Sequence, residues 1–427
     1  MRLPARCSAG LLAASLLASL LIGTAPAALA GPADDTRTIV PVRDQGNRQN
    51  VRFATYNASL NRSAPGDLVR DLSTPANAQA RAIAEVLQVT RPDVVLLNEF
   101  DYDPGTRAAD LFDQNYLRVS QNGKAALDYP YVYTAPSNTG APSGYDLDND
   151  GTVGGAGDAL GFGTFEGQYG MVVYSKYPIQ TGAVRTFRNF LWKDMPGALL
   201  PDNPATEAPA DWYSSDELAV LPLSSKSHWD IPVSVGGKAI HVLASHPTPP
   251  VFDGEEDRNG RRNSDEIRFW SDYVTGGPNA SYIHDDDGAA GGLRRGERFV
   301  VLGDQNSDPL DGDARGGAIG QLLGNRLIQD PLPSSSGATE ASALQGGANA
   351  EHRSDPQFDT ADFEDRNAGN IRADYVLPSR NLQVSASGVF WPRAGMPGSE
   401  LTGIFPFPTS DHRLVHVDVT VNGVRLR

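Results

Sequence analysis

The sequence predicts one domain of mixed α/β (α+β) class. Short apolar runs bounded by turn residues recur along it and read as strands, and two stretches with helical spacing fall between them. No internal repeat or Pro/Gly linker divides the runs into two self-sufficient sets.

Strands are expected at 51–56, 93–97, 171–174, 239–245, 299–302, 372–377 and 414–421. A helix over 76–89 is marked by Ile83, Val86 and Leu87 and stopped by Pro92, completing a strand-helix-strand unit. A second helix over 263–274 sets Ile267, Phe269, Trp270 and Val274 against polar Arg262, Asp265, Glu266 and Arg268. The Gly, Pro, Ser and Asp-rich segments 136–167, 196–216, 276–296 and 333–370 read as functional rims or mobile insertions, with disorder expected over 333–349.

Arg2 and Arg6 precede an apolar stretch at 11–22, and Ala28-Leu29-Ala30 supplies the small residues of an export cleavage site. Residues 1–30 therefore read as a signal peptide, 31–50 as an N-terminal extension and 51–427 as the catalytic domain, with the mature protein secreted. An apolar run of about a dozen residues is too short to span a bilayer, which needs ~20. No membrane span is expected after signal removal. The one cysteine, Cys7, leaves with the signal, which excludes disulfides, a thiolate nucleophile and a cysteine zinc site. Net charge is −16 for the whole chain. That balance disfavours a broad basic grip on nucleic acid but not a nuclease with few, metal-mediated contacts.

A polar, ligand-capable residue stands at or beside most predicted strand ends: Asn57, Glu99, His246, Asp304 with Asn306, Asp374, and Asp411 with His412. Such a series is the pattern of a site assembled at one sheet edge. Phosphoester hydrolysis needs charge neutralised on the non-bridging oxygens, an activated water and a stabilised leaving oxygen. A divalent cation on Glu99 and Asp411 suits the first need, because Mg²⁺ takes one or two carboxylates plus water and phosphate. An imidazole fixed by a carboxylate, His412 by Asp374, can activate water near neutral pH. Asp304 and Asn306 would orient phosphate and nucleophile.

The ordered motifs Thr-Tyr-Asn57, Leu-Asn-Glu99, the Tyr169 to Pro178 run, Ala-Ser-His246, Gly-Asp304-Gln-Asn306, Arg-Ala-Asp374-Tyr and Ser-Asp411-His412 cover 51–421. This set resembles the endonuclease/exonuclease/phosphatase (type I deoxyribonuclease-like) superfamily. The resemblance implies a four-layer α-β-β-α sandwich of two mixed sheets between helices. It implies Mg²⁺ or Mn²⁺ on Glu99 with Asn57 beside it, Asp411 as a second carboxylate, and Asn57 and Tyr169 near substrate. It makes His412 a base or phosphate-binding imidazole held by Asp374, Asp304 and Asn306 contacts to phosphate and nucleophile, and His246 a second histidine that binds phosphate or assists departure. One departure touches His246: Gly167 precedes Gln168-Tyr169 where secreted deoxyribonucleases carry a glutamate, and Glu166 stands one position earlier.

Three further features have competing readings. Arg262 reads as a phosphate-binding guanidinium or as part of a solvated, salt-bridged loop. His241 falls on the opposite strand face from His246 and reads as a packing residue. Asp146-Leu-Asp148-Asn-Asp150-Gly151 is either the opening half of a Ca²⁺ loop, with Gly157 at the twelfth position where a bidentate Glu is expected and Asp158 after it, or an acidic turn. The expected activity is that of a secreted metal-dependent phosphodiesterase or nuclease acting on nucleic acid, a lipid headgroup or a small organic phosphate, with no obligate protein partner. A phosphate-scavenging phosphomonoesterase and a non-catalytic calcium-dependent binding module are the alternatives.

Overall fold

A computed structural model describes residues 48–422 of the protein. The expected signal peptide and residues 31–47 of the expected extension lie outside the described residues, whereas 48–50 already belong to the first strand. Among the described residues, thirteen strands occur in chain order. They are β1 (Arg48–Leu60), β2 (Val94–Phe100), β3 (Tyr131–Tyr133), β4 (Met171–Ser175), β5 (Arg185–Thr186), β6 (His228–Val235) and β7 (Lys238–Ser245). There follow β8 (Phe299–Asp304), β9 (Ala361–Asp362), β10 (Asn370–Ile371), β11 (Asp374–Pro378), β12 (Gln383–Val389) and β13 (Val415–Asn422).

These strands form a six-stranded sheet, β12-β13-β1-β2-β4-β3, and a five-stranded sheet, β11-β8-β7-β6-β5, with β9 and β10 as a separate pair. β1 and β2 are parallel, as are β7 and β8, while the other neighbours are antiparallel. Both sheets are therefore mixed.

Side-chain alternation along the strands builds the layers. Phe53, Leu96, Val173, Ile231, Val242, Val300 and Val417 meet in the core between the sheets. On the outer face of the first sheet, Ala54, Tyr56, Val95 and Leu97 pack against Ile83 and Leu87 of helix Ala78–Thr90. On the outer face of the second, Leu243, Val301 and Leu377 pack against Ile267 and Trp270 of helix Arg258–Thr275. The result is the four-layer sandwich that the resemblance implies. Asn77 caps the first helix by accepting the Ala80 N–H at 2.9 Å, and Arg91 ends it in the left-handed region just before Pro92.

Sequence patterning overlooks β6 and β12 as well as the two- and three-residue strands β3, β5, β9 and β10. Pro232 interrupts β6, but it faces no ladder partner in β5, which reaches only Asp230 and Trp229. A proline is tolerated there. β12 is a half-exposed edge strand with no continuous apolar run.

The expectation of disorder over 333–349 is wrong. Helix Ser336–Gln345 occupies it, capped by Ser335 Oγ accepting the Ala338 N–H at 3.1 Å and anchored by the buried Ala338. A Cβ on Gly337 would stand 2.0 Å from the Trp391 carbonyl oxygen, so glycine is what lets this weakly apolar segment lie against the domain. Among the described residues, no helix is long and apolar enough to cross a membrane.

Candidate active site

Strand direction determines which residues can meet. The parallel pairs β1/β2 and β7/β8 end at one edge, where Asn57, Glu99, His246 and Asp304 stand, while antiparallel β11 and β13 begin there, with Asp374 and His412. Residues remote in sequence thereby converge at one edge of the sandwich.

The backbone at this edge is strained. Positive φ occurs at Ser59 (47°), Glu99 (56°), Tyr169 (56°) and Asn306 (49°), none of them glycine. At β1/β2 the register slips between Asn57↔Asn98 and Leu60↔Phe100, so two residues of β1 oppose Glu99 alone. That bulge turns the Glu99 side chain out of the ladder and beside Asn57. At β8, Gly303 is required on space as well as on φ: a Cβ there would lie 1.9 Å from the Ser245 carbonyl oxygen.

Asn57 joins the two halves of the site. Its Nδ2 donates to Glu99 Oε1 at 2.9 Å and to Asp304 Oδ2 at 3.1 Å, while its Oδ1 accepts the Ser59 N–H at 3.2 Å. Asp304 Oδ1 accepts the Asn306 N–H at 2.9 Å, and Oδ2 faces His246 Nε2 at 3.4 Å and His412 Nε2 at 3.6 Å. His412 Nδ1 is 2.8 Å from Asp374 Oδ2, which also accepts the Thr360 hydroxyl at 2.9 Å. Phe363 packs edge-on against the His412 ring, with centroids 5.2 Å apart. Asn306 Nδ2 is held by the Pro247 carbonyl at 3.1 Å.

The charges follow from this packing. Burial opposes protonation of His412, but Asp374 and Asp304 on its two sides outweigh it and keep the imidazole cationic well above its usual range. Burial would raise Asp304, yet His412, His246 and the Asn57 amide hold its carboxyl well below the usual range. Asp374 moves upward, through burial and its neighbour Asp304. His246 is pushed down to about 4 by burial and by Lys226, so it stays neutral. Among the described residues its buried Nδ1 has no hydrogen-bond partner. The glutamate missing at Gly167 is not replaced, because Glu166 is exposed and its nearest basic partner is Arg188 at 3.9 Å.

Glu99 is raised by burial and, among the described residues, has Asn57 as its one hydrogen-bond donor and no basic ion-pair partner. Asp411 Oδ1 accepts the hydroxyls of Ser410 at 3.3 Å and Ser59 at 3.4 Å and, among the described residues, no basic group. Glu99 beside the Asn57 amide, and Asp411 connected to Asn57 through Ser59, are hard oxygen donors short of positive charge, and a divalent cation fits such donors. Oxygen and nitrogen atoms of Asp304, Asp374 and His412 also lie within 4.8 Å of one another. Here the imidazolium already stands between the two carboxylates, which argues for a hydrogen-bonded relay in that trio.

Tyr169 sits at the rim with its N–H donated to Asp101 Oδ1 at 3.1 Å. Arg262 is a correction. It is 8% exposed, and its guanidinium donates to the carbonyls of Leu223 (2.8 Å), Leu160 (2.7 Å) and Pro222 (2.8 Å), so it secures the loops covering helix Arg258–Thr275 and does not present its fork to a phosphate. The same loops bury Asp265 and Glu266, which periodicity alone placed on a polar face. His241 is held by Asp230 at 2.7 Å, away from the site. In the acidic loop, Asp146, Asp148 and Asp158 converge within 4.8 Å, but Asp150 stands outside the group and caps the Thr152 N–H at 2.7 Å. Asp158 is occupied by the N–H groups of Leu147 and Gly154, each at 2.7 Å.

Several site residues escape a reading by strand ends. Asn98 is fully buried, accepts the Asp304 N–H at 3.3 Å and donates to the Ser245 carbonyl at 3.5 Å, tying one sheet to the other. Thr360 orients Asp374, and Asp101, pushed up to about 7 by burial, lies just beyond Glu99. Lys226, 6% exposed, belongs to a polar Ser-Ser-Lys-Ser segment with no strand pattern of its own.

The sequence model of the Endonuclease/Exonuclease/phosphatase family matches residues 54–412. Among solved structures, an endonuclease/exonuclease/phosphatase from Beutenbergia cavernae is 18% identical, with 88% of this chain and 73% of that chain covered and a TM-score of 0.46. A family protein from Leptotrichia buccalis is 14% identical over 86% of this chain and 99% of its own, with a TM-score of 0.44. Sphingomyelinase C from Streptomyces griseocarneus is 15% identical over 87% and 99%, with a TM-score of 0.41. No curated protein sequence matches the chain.

Proposed function

The chain belongs to the endonuclease/exonuclease/phosphatase family, and from that premise we propose that it is an exported, divalent-metal-dependent phosphodiesterase of the nuclease type. The observation that carries this reading is the Asp374–His412–Asp304 alignment, flanked by Asn57 and by the second imidazole, His246. Export rests on the leader-like residues 1–30.

In hydrolysis a water oxygen bonds to phosphorus and the P–O ester bond breaks. The proton that water loses passes to ionised Asp304, and the leaving oxygen takes one from cationic His412, 3.6 Å from Asp304. Asp304 is kept ionised and is oriented by the Asn57 amide and the Asn306 N–H, which suits it to align the attacking water. His412, cationic and fixed by Asp374, places positive charge where a phosphoryl oxygen becomes more negative. His246, neutral, directs Nε2 to the same region as a hydrogen-bonding group. Glu99 and Asp411, with Asn57 beside them, would hold a divalent cation, Mg²⁺ or Mn²⁺, which neutralises phosphate charge when bound.

The test is hydrolysis by metal-stripped protein of bis(p-nitrophenyl) phosphate, p-nitrophenyl phosphate and plasmid DNA, with Mg²⁺, Mn²⁺ or Ca²⁺ restored separately. Turnover of the diester or DNA that is lost in His412→Ala is the expected result. Preference for the monoester would replace this reading with a phosphomonoesterase, and no turnover with any ion would remove the enzyme reading.

A further inference from the structure

Lys226 lies two residues before β6, whose first residue, His228, pairs with Ser245 in antiparallel β7. Its place in the chain is therefore level with the residues that follow Ser245, at the edge that carries His246 and Asp304. The Lys226 carbonyl accepts the Asn138 N–H at 2.9 Å, which fixes its backbone.

The obvious counter-ion is engaged elsewhere. Glu266 Oε1 accepts the Ser225 N–H at 2.6 Å and the Ser225 hydroxyl at 3.0 Å, and Oε2 accepts the Thr248 N–H at 2.7 Å. Among the described residues, no carboxylate lies within 4.0 Å of the Lys226 ammonium. Lysine is rarely buried to this degree without a partner. Burial depresses its pKa, while Glu266, Glu99 and Asp304 oppose that fall, so the group lies in the field of the active-site carboxylates. On this side of Asp304 the other candidate for positive charge, His246, has no carboxylate on Nδ1.

We propose that Lys226 contacts substrate: its ammonium is the cation for a non-bridging phosphoryl oxygen on the His246 side of the site, opposite His412. The missing counter-ion of the buried lysine is then the phosphate group of substrate and product. This rests on the phosphoester-hydrolase reading for its catalytic consequence, but not for phosphate binding itself.

The experiment compares the wild-type full chain with Lys226→Met and Lys226→Arg in Mg²⁺. Inorganic phosphate is titrated calorimetrically, kcat and KM are measured for bis(p-nitrophenyl) phosphate, and thermal midpoints are recorded. For Lys226→Met, phosphate affinity should fall about tenfold or more and kcat/KM about 100-fold, as for loss of a charge-assisted contact to a phosphoryl oxygen. Its thermal midpoint should hold or rise, and Lys226→Arg should recover part of both losses. Unchanged phosphate affinity in Lys226→Met, or a wild type that binds no phosphate, overturns the proposal. A wild type that binds phosphate through Lys226 yet cleaves no phosphoester would leave the lysine assignment standing and remove the hydrolase reading.

Discussion

His412 Nδ1 and Asp374 Oδ2 stand 2.8 Å apart with both side chains buried, and the Thr360 hydroxyl donates to the same carboxylate oxygen. The pair fixes which imidazole nitrogen is directed toward Asp304. It also places an anion behind a group required to carry positive charge.

Replacing Asp374 by Asn retains the shape but removes that anion. We expect kcat to fall about 10²–10⁴-fold, the range for disabling an oriented catalytic imidazole, with little change in thermal midpoint. A kcat within threefold of wild type would show that His412 does not depend on Asp374.

Asn57 keeps Glu99 and Asp304 apart by donating one amide to both. Asn57→Ala should weaken Mg²⁺ binding about 10–100-fold, as loss of an orienting partner of a ligand does. Calorimetric titration of the metal-stripped protein reads this directly, and an unchanged affinity would place the ion elsewhere.

Metal removal offers a test independent of turnover. Because an ion that binds only the folded state adds RT ln(1 + [L]/Kd), the wild-type thermal midpoint should rise with Mg²⁺ concentration. Glu99→Gln should flatten that dependence; a rise preserved in the variant would exclude Glu99 as a ligand.

His228 is 1% exposed, with Nδ1 2.6 Å from the Ser224 hydroxyl and Nε2 2.9 Å from the Glu266 carbonyl, an arrangement that suits the neutral ring. Burial lowers it to about 4 from 6.5. Between those values the unfolded chain binds more protons than the folded one. Stability is therefore full above pH 6.5 and declines as pH falls toward 4, by about 3 kcal/mol for this residue. His416, also lowered to about 4 by burial, acts in the same direction. Urea titrations across this pH range measure the slope, and an NMR titration showing His228 protonated at pH 6 would contradict it.

Arg262→Met should unfold more readily, by about 3 kcal/mol, because buried carbonyls lose charged donors. Where the folded fraction is intact, KM should stay within twofold of wild type. A raised KM at unchanged stability would restore this arginine to the substrate.

The mixed α/β class and most of the site's membership were legible in the sequence, while the four-layer sandwich was implied only through the family resemblance of the ordered motifs. Strand periodicity and polar strand ends are local properties, and Asn57, Glu99, His246, Asp304, Asp374, Asp411 and His412 stand out as an ordered series, although no one segment read alone singles its residue out. Whether a polar residue is a ligand, a support or a fastener is not local. Arg262 and Lys226 are both buried cations near Glu266, yet one is surrounded by carbonyls of the covering loops and the other, among the described residues, has no carboxylate within ion-pair distance. Asn98 and Thr360 gain their roles only when two sheets and a distant loop close around them. Tertiary structure decided these assignments because burial and partner geometry set the energy of a charge, and both arise from segments far apart in the chain.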